Sequence, residues 1–180
     1  MKRFSQHTPN IKTPGWKVVL VLDNLRSAHN VGNVFRIAEA LQCEIIACGY
    51  TPFPPHPVLA KTAMECDKTV PCTIAVSAAE AIKSLRKKDY KCILALEHNS
   101  ESVEISDYPA LDMPLALVLG NEAKGVSPEA LALCDGVVEL PMMGGKASIN
   151  VGNAAAAALY IIYTLYIHYI RDRSNLKTSE

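Results

Sequence analysis

Residues 17–25 read KVVLVLDNL and residues 30–41 read NVGNVFRIAEAL. The first is a continuous, β-branched apolar run, the mark of a strand buried on both faces of a parallel sheet. In the second, Val31, Val34, Phe35 and Ala38 recur at helical spacing. That spacing predicts a helix with Asn30 near its N-cap. The alternation recurs downstream. EIIACGY (44–50), CTIAV (72–76), KCILALEH (91–98), PLALVLGNE (114–122) and GVVELPM (136–142) read as further strands. SAAEAIKSLRKKDY (77–90) reads as a helix opened by a capping box, Ser77 to Glu80. Ser127 caps another, with Pro128 at its first position, and a long helix closes the chain from about Ser148 to Arg173. The prolines at 52, 54, 55 and 57 exclude regular structure from their own segment. Strands alternating with helices predict an α/β fold, a parallel six-stranded sheet with helices on both faces.

At 180 residues the chain is read as a basic arm (1–15), one domain (16–173) and a polar tail (174–180). With 49% apolar and 20% charged residues it is globular rather than disordered. Eighteen bases cancel eighteen acids, which excludes a generally basic chain but not a local patch. Lys2, Arg3, Lys12 and Lys17 precede the first acid, Asp23, and either reach for a polyanion or simply solvate a terminus. No pair of the six cysteines has CxxC spacing, so buried free thiols in a reducing cytoplasm are expected, with no metal site. The start lacks the apolar core of a signal peptide. The apolar tract from Ala154 to Ile170 falls short of the roughly 20 residues that span a bilayer. A buried helix or a subunit interface accounts for it.

Several familiar chemistries fail on their residues. The turn after the first strand has one glycine, so a GxGxxG dinucleotide loop is absent. GNEAKGVS resembles a P-loop, but Val126 stands where lysine must reach the phosphates. No GxSxG nucleophile elbow occurs. His29 stands alone and is more simply a capping or surface residue.

Three segments stand out, each following a strand, where ligands of such sheets bind. Asn24 and Arg26 precede Asn30, Gly32 and Arg36, an arginine set between Phe35 and Ile37 that must pair with an anion or enter a cleft. Gly120, Asn121, Glu122 and Gly125 put an acid in a flexible turn. Pro141, Met142, Gly144, Ser148, Ile149 and Asn150 feed the start of the last helix, whose free N–H groups suit polar ligands.

In order and spacing these segments resemble the three motifs of the SpoU, or TrmH, family of RNA ribose 2′-O-methyltransferases. They are NLRSAHNVGNVFRIAEA, LALVLGNEAKGVS and VELPMMGGKASINVGNAAAAALY, within a resemblance spanning about Lys17 to Tyr166. The resemblance implies the SPOUT fold, whose C-terminal part threads a deep trefoil knot. It implies S-adenosylmethionine as cofactor, held near Leu96, at Leu119 and Gly120, and along Leu140, Met142, Ser148 and Ile149. Arg36 falls on the family's catalytic arginine, and Asn30, Glu122, Ser148 and Asn150 on its other polar site positions. A guanidinium holds its proton too firmly to act readily as a base, which makes Arg36 a better anchor for a ribose phosphate. A homodimer with its active site at the subunit boundary is implied too, and Leu159, Ile162, Tyr163, Tyr166 and Ile170 suit either that interface or a core. RNA contacts are expected from Arg26 and from Lys83, Arg86, Lys87, Lys88 and Lys91, though a solvated helix face explains that cluster as well. The implied function is methyl transfer to a ribose 2′-hydroxyl, in transfer RNA ahead of ribosomal RNA. The alternative is a non-catalytic RNA-binding protein on the same fold.

Overall fold

The computed structural model describes residues 13–108, 111–146 and 148–177, with side chains placed through Asp172. Lys2, Arg3 and Lys12 lie outside the described residues. The elements are β1 (Val18–Asp23), α1 (Ala28–Ala40), β2 (Glu44–Cys48), α2 (Pro57–Ala63), α3 (Cys66–Thr69), β3 (Cys72–Ala75), α4 (Ala78–Lys87), β4 (Cys92–Leu96), β5 (Val103–Glu104), β6 (Leu115–Leu119), α5 (Pro128–Leu131), β7 (Gly136–Glu139) and α6 (Val151–Lys177).

The strands form one sheet in the order β3-β2-β1-β6-β4-β7-β5, and every pairing is parallel. The sheet therefore has seven strands, not six. The addition is β5, whose two residues pair Val103 with Val138 and Glu104 with Glu139, too short to leave a periodic signal.

Alternation along β1 explains both layers. Val18, Leu20 and Leu22 point to one face and pack with Val31, Val34 and Phe35 of α1, Leu59 of α2 and Leu159 of α6. Val19 and Val21 point to the other and pack with Ala78, Ile82 and Leu85 of α4 and Ala130 of α5. Each large side chain fully buried here, such as Phe35, contributes about 2 kcal/mol of transfer free energy.

Three local expectations change. Ser27, not Asn30, is the N-cap of α1, its Oγ accepting the Asn30 N–H at 3.3 Å, which leaves the Asn30 side chain for other partners. The proline segment launches a helix: Pro57 occupies the first turn of α2, where its fixed φ fits, and His56 Nδ1 caps it by accepting the Leu59 N–H. The last helix begins at Val151 and continues to Lys177.

On α6, Leu159, Ile162 and Tyr166 are buried within the chain itself. The Trp16 ring meets Tyr163 edge-on at 5.3 Å, and Tyr166 donates its hydroxyl proton to Pro14 O at 2.9 Å. Of the stripe read as either an interface or a core, Leu159, Ile162 and Tyr166 are thus core, Tyr163 and Ile170 are half-buried, and Tyr163 and Tyr166 also dock residues 13–16. By length and composition, Val151–Asp172 is long and apolar enough to cross a membrane, and a third of its 18-residue apolar window is buried. All six thiols are free, three of them buried and three half-buried. Burial pushes Cys43 and Cys92 up to about 12, so both stay neutral at pH 7.

Candidate active site

Beyond the carboxyl ends of β4, β6 and β7 lies a cavity of about 710 Å³. It sits where the strand order reverses, as ligand sites of such sheets do. Leu96, Leu119, Gly120, Leu140, Met142, Ser148 and Ile149 line it, each a residue that the family resemblance assigns to the cofactor. Asn30, Glu122 and Asn150 line it as well. All three sequence segments therefore converge on one space.

They are joined by a chain of hydrogen bonds. Glu122 accepts the N–H groups of Arg26 and Ser27 and the Asn30 amide (Nδ2 to Oε1, 2.9 Å). Asn30 Oδ1 accepts Asn150 Nδ2 at 2.9 Å. Asn150 Oδ1 in turn accepts the N–H groups of Gly152 and Asn153, capping α6. Partial burial raises the Glu122 pKa, but hydrogen bonds from Arg26 and Asn30, then from its own N–H and Ser27, outweigh that and hold it below the ordinary value. At neutral pH it is a carboxylate anchored at the start of α1, where the helix dipole favours negative charge.

The turn from Gly120 to Val126 is built for close approach. Asn121 and Gly125 exchange both backbone hydrogen bonds, and Asn121 Oδ1 accepts the N–H groups of Ala123 and Lys124. A Cβ at Gly120 would overlap the backbone of Gly125 and Val126. Below the turn, buried Asp23 accepts the Ser127 N–H at 2.8 Å, which ties β1 to the same loop.

Arg36 is the exception. It is exposed on α1 and does not line the cavity. Six residues of helix carry it about 9 Å along the axis from Asn30 and onto another face. Its charge is felt at α3, where it partly offsets the rise that burial and Glu39 impose on the Cys66 thiol.

The other basic residues divide. Arg26 is exposed beside Glu122. Arg86 is tied to Asp135 Oδ1 at 2.5 Å and to the carbonyls of Tyr90 and Leu133, and Asp135 also accepts the Ile93 N–H. It braces α4 against the strands. Lys87 and Lys88 lie at the end of α4, just before β4 begins, whereas the cavity lies where β4 ends. Five residues of strand separate them, about 16 Å. Lys91 is paired with Asp89 on that same edge.

A second polar group on the cavity wall was not anticipated. His98 Nδ1 and the Ser102 hydroxyl both meet Glu139 Oε2 at 2.5 Å. Bonding to Ser102 and then to His98 holds the Glu139 pKa low. Glu97 accepts the Val126 N–H at 2.9 Å. The available signal was an acid and a histidine directly after an apolar strand, in the segment EHNSES. With Glu97, Glu122 and Glu139 against Lys124, the lining is acidic.

Residues 17–160 match the model of the SpoU rRNA Methylase family. A putative TrmH family tRNA/rRNA methyltransferase of Staphylococcus haemolyticus is 30% identical over 152 residues, which are 83% of this chain and 59% of that one. A 23S rRNA (guanosine-2′-O-)-methyltransferase of Ralstonia nicotianae is 28% identical, over 81% of this chain and 58% of its own length. The chain thus spans about three fifths of the length of these relatives. Among solved structures, the SpoU methyltransferase AviRb of Streptomyces viridochromogenes superposes with a TM-score of 0.75 at 26% identity, over 86% of this chain and 61% of that one, and has also been crystallised with AdoMet. The match to the family model covers four fifths of the sequence and all three cavity-forming segments, so this chain belongs to the SpoU rRNA methylase family.

Proposed function

We propose that the protein transfers a methyl group from S-adenosylmethionine to a ribose 2′-hydroxyl of RNA, acting in the cytoplasm as a homodimer. The observation that carries this reading is the hydrogen-bonded chain from Glu122 through Asn30 to Asn150, which brings all three family motifs to one cavity. The cavity volume falls in the roughly 300–1,000 Å³ range of small-ligand sites. Leu96, Leu119, Leu140 and Ile149 offer apolar surface to a purine, and three carboxylates suit a ligand that carries positive charge. When bound, S-adenosylmethionine supplies a methyl carbon made electrophilic by a positively charged sulfur. The trefoil knot that the family implies belongs to the same proposal, with the stretch through Leu140, Met142 and Ser148 as its threaded part.

The chain's own residues divide the remaining work. Asn150 Nδ2 has a second N–H beyond the one given to Asn30, available to a ribose or phosphate oxygen. Glu122 is committed to the start of α1 and, with its low pKa, is a poor proton acceptor. Arg36, exposed and away from its own cavity, meets RNA across the boundary between two copies in this reading. There it clamps a phosphate and polarises the hydroxyl as a fixed cation. The relatives named above are a putative tRNA/rRNA methyltransferase and a 23S rRNA methyltransferase. We take transfer RNA as the first substrate.

The second reading, a non-catalytic RNA-binding protein, draws on one observation: Glu122, Asn30 and Asn150 each have a structural duty as anchor or cap. Labelled S-adenosylmethionine incubated separately with transfer RNA and ribosomal RNA decides between them. Stable label in either pool supports the enzyme. Cofactor binding without label in any RNA, including unmodified transcripts, supports the binding protein.

A further inference from the structure

We propose that the loop between β2 and α2 carries a base-stacking platform, Tyr50 and Phe53, for an unpaired nucleotide of the RNA. This inference rests on reading the cavity as an RNA-modifying site. Tyr50 is 58% exposed and Phe53 42%, whereas Phe35 is fully buried. Exposure alone is ordinary for a surface apolar residue; here two aromatic rings three positions apart share one loop beside the cavity. The platform adjoins the site: Asn121, on the cavity wall, donates from Nδ2 to the Tyr50 hydroxyl at 3.0 Å.

The backbone of the loop is held in place before any ligand arrives, and the Tyr50 ring is tied by its hydroxyl to Asn121. Thr51 is buried, its Oγ accepting the Leu25 N–H and donating to Cys48 O at 2.8 Å. The Tyr50 N–H donates to Asn24 Oδ1. Gly49 adopts φ +61°, and a Cβ there would overlap that same Asn24 oxygen. Pro52, Pro54 and Pro55 surround Phe53 and restrict its backbone. A loop backbone held in this way loses little conformational entropy when a ligand stacks on its rings.

Charge identifies the partner as RNA. Arg26, Lys124 and Lys146 are exposed on the three cavity-forming segments, and none has an ion-pair partner among the described residues. The cavity interior is acidic. A phosphate backbone is therefore held at the rim by cations and kept out of the interior, with base faces free to reach the two rings. Aromatic rings interleaved with cations are how proteins hold single-stranded RNA, while paired bases present no open face to stack.

The test uses the full chain, a labelled oligouridine and a labelled RNA duplex of equal length. The single strand should bind more tightly than the duplex. Tyr50→Leu and Phe53→Leu should each weaken single-strand binding by roughly tenfold. Tyr50→Phe, which keeps the ring, should change it by less than about twofold, and duplex binding and oligomeric state should not move. Leucine variants that bind the single strand normally, or a wild type indifferent to strandedness, would overturn the platform. So would a changed oligomeric state in the leucine variants, which would make the rings a subunit contact. Ring-dependent binding without methyl transfer would sink the methyltransferase reading alone. Methyl transfer with ring-independent binding would sink the platform alone.

Discussion

Asn150 donates from Nδ2 to Oδ1 of Asn30 at 2.9 Å, and these two amides, 120 positions apart, tie the start of α6 to the start of α1. Their orientation is compulsory. Glu122 can only accept, so Asn30 must turn its NH2 toward it. The N–H groups at the start of α6 can only donate, so Asn150 must turn its oxygen toward them. The remaining oxygen of one then meets the remaining amine of the other. Aspartate at position 30 or 150 lacks the donor on which the chain depends. Asn30→Asp and Asn150→Asp should each lower stability by about 1–3 kcal/mol, read by thermal melting. Each should also lower methyl transfer by roughly a hundredfold.

The low pKa of Glu122 sets the direction of an acid transition. A carboxyl depressed in the folded state contributes stability that is present above its unfolded value and lost as pH falls through its folded value. The tie between α1 and the Gly120–Val126 turn should therefore be intact at neutral pH and weaken below the ordinary glutamate value of 4.5. Glu122→Gln should melt lower at pH 7 and lose part of the acid dependence. Hydrogen exchange at the Arg26 and Ser27 amides reads the tie directly, and equal protection in both proteins would contradict it.

Gly120→Ala probes the cavity floor. Its Cβ would meet the backbone of Gly125 and Val126, which cannot swing aside as a side chain can. Calorimetry should show S-adenosylmethionine affinity falling by at least about tenfold, the cost of a shift in the wall at roughly 1–3 kcal/mol. Wild-type affinity would mean that the turn is not part of the cofactor site.

Much of this was legible in the sequence, for reasons visible in individual residues. β1 and β6 are buried along their whole length, so their apolar runs are unbroken, and the parallel sheet follows. β5 was not legible because two residues carry no period. α2 was hidden by the prolines that open it. The stripe on α6 was legible as apolar and suited to a core or a subunit interface alike, because periodicity does not say what covers a face. In the site, the three segments that the resemblance gathers meet at one cavity. The group formed by His98, Ser102 and Glu139 escaped because its members come from two strand ends that only the sheet order makes neighbours.

Two arginines should separate cleanly. Arg86 is a brace between α4 and β4, so Arg86→Ala should cost about 1 kcal/mol of stability and leave RNA affinity within about twofold. Arg36 makes no hydrogen bond or ion pair among the described residues. Arg36→Ala should therefore keep its stability and its S-adenosylmethionine affinity while methyl transfer falls by at least roughly a hundredfold. Near-normal turnover in that variant would remove Arg36 from the mechanism.

The most direct measurement is where the methyl group goes. RNA labelled by the protein from S-adenosylmethionine would be digested with alkali, which cleaves after every free 2′-hydroxyl but not after a methylated one. With transfer to the ribose, the label should appear in alkali-stable dinucleotides. Label released in mononucleotides would mean a methylated base and would contradict the ribose 2′-hydroxyl as the site of transfer.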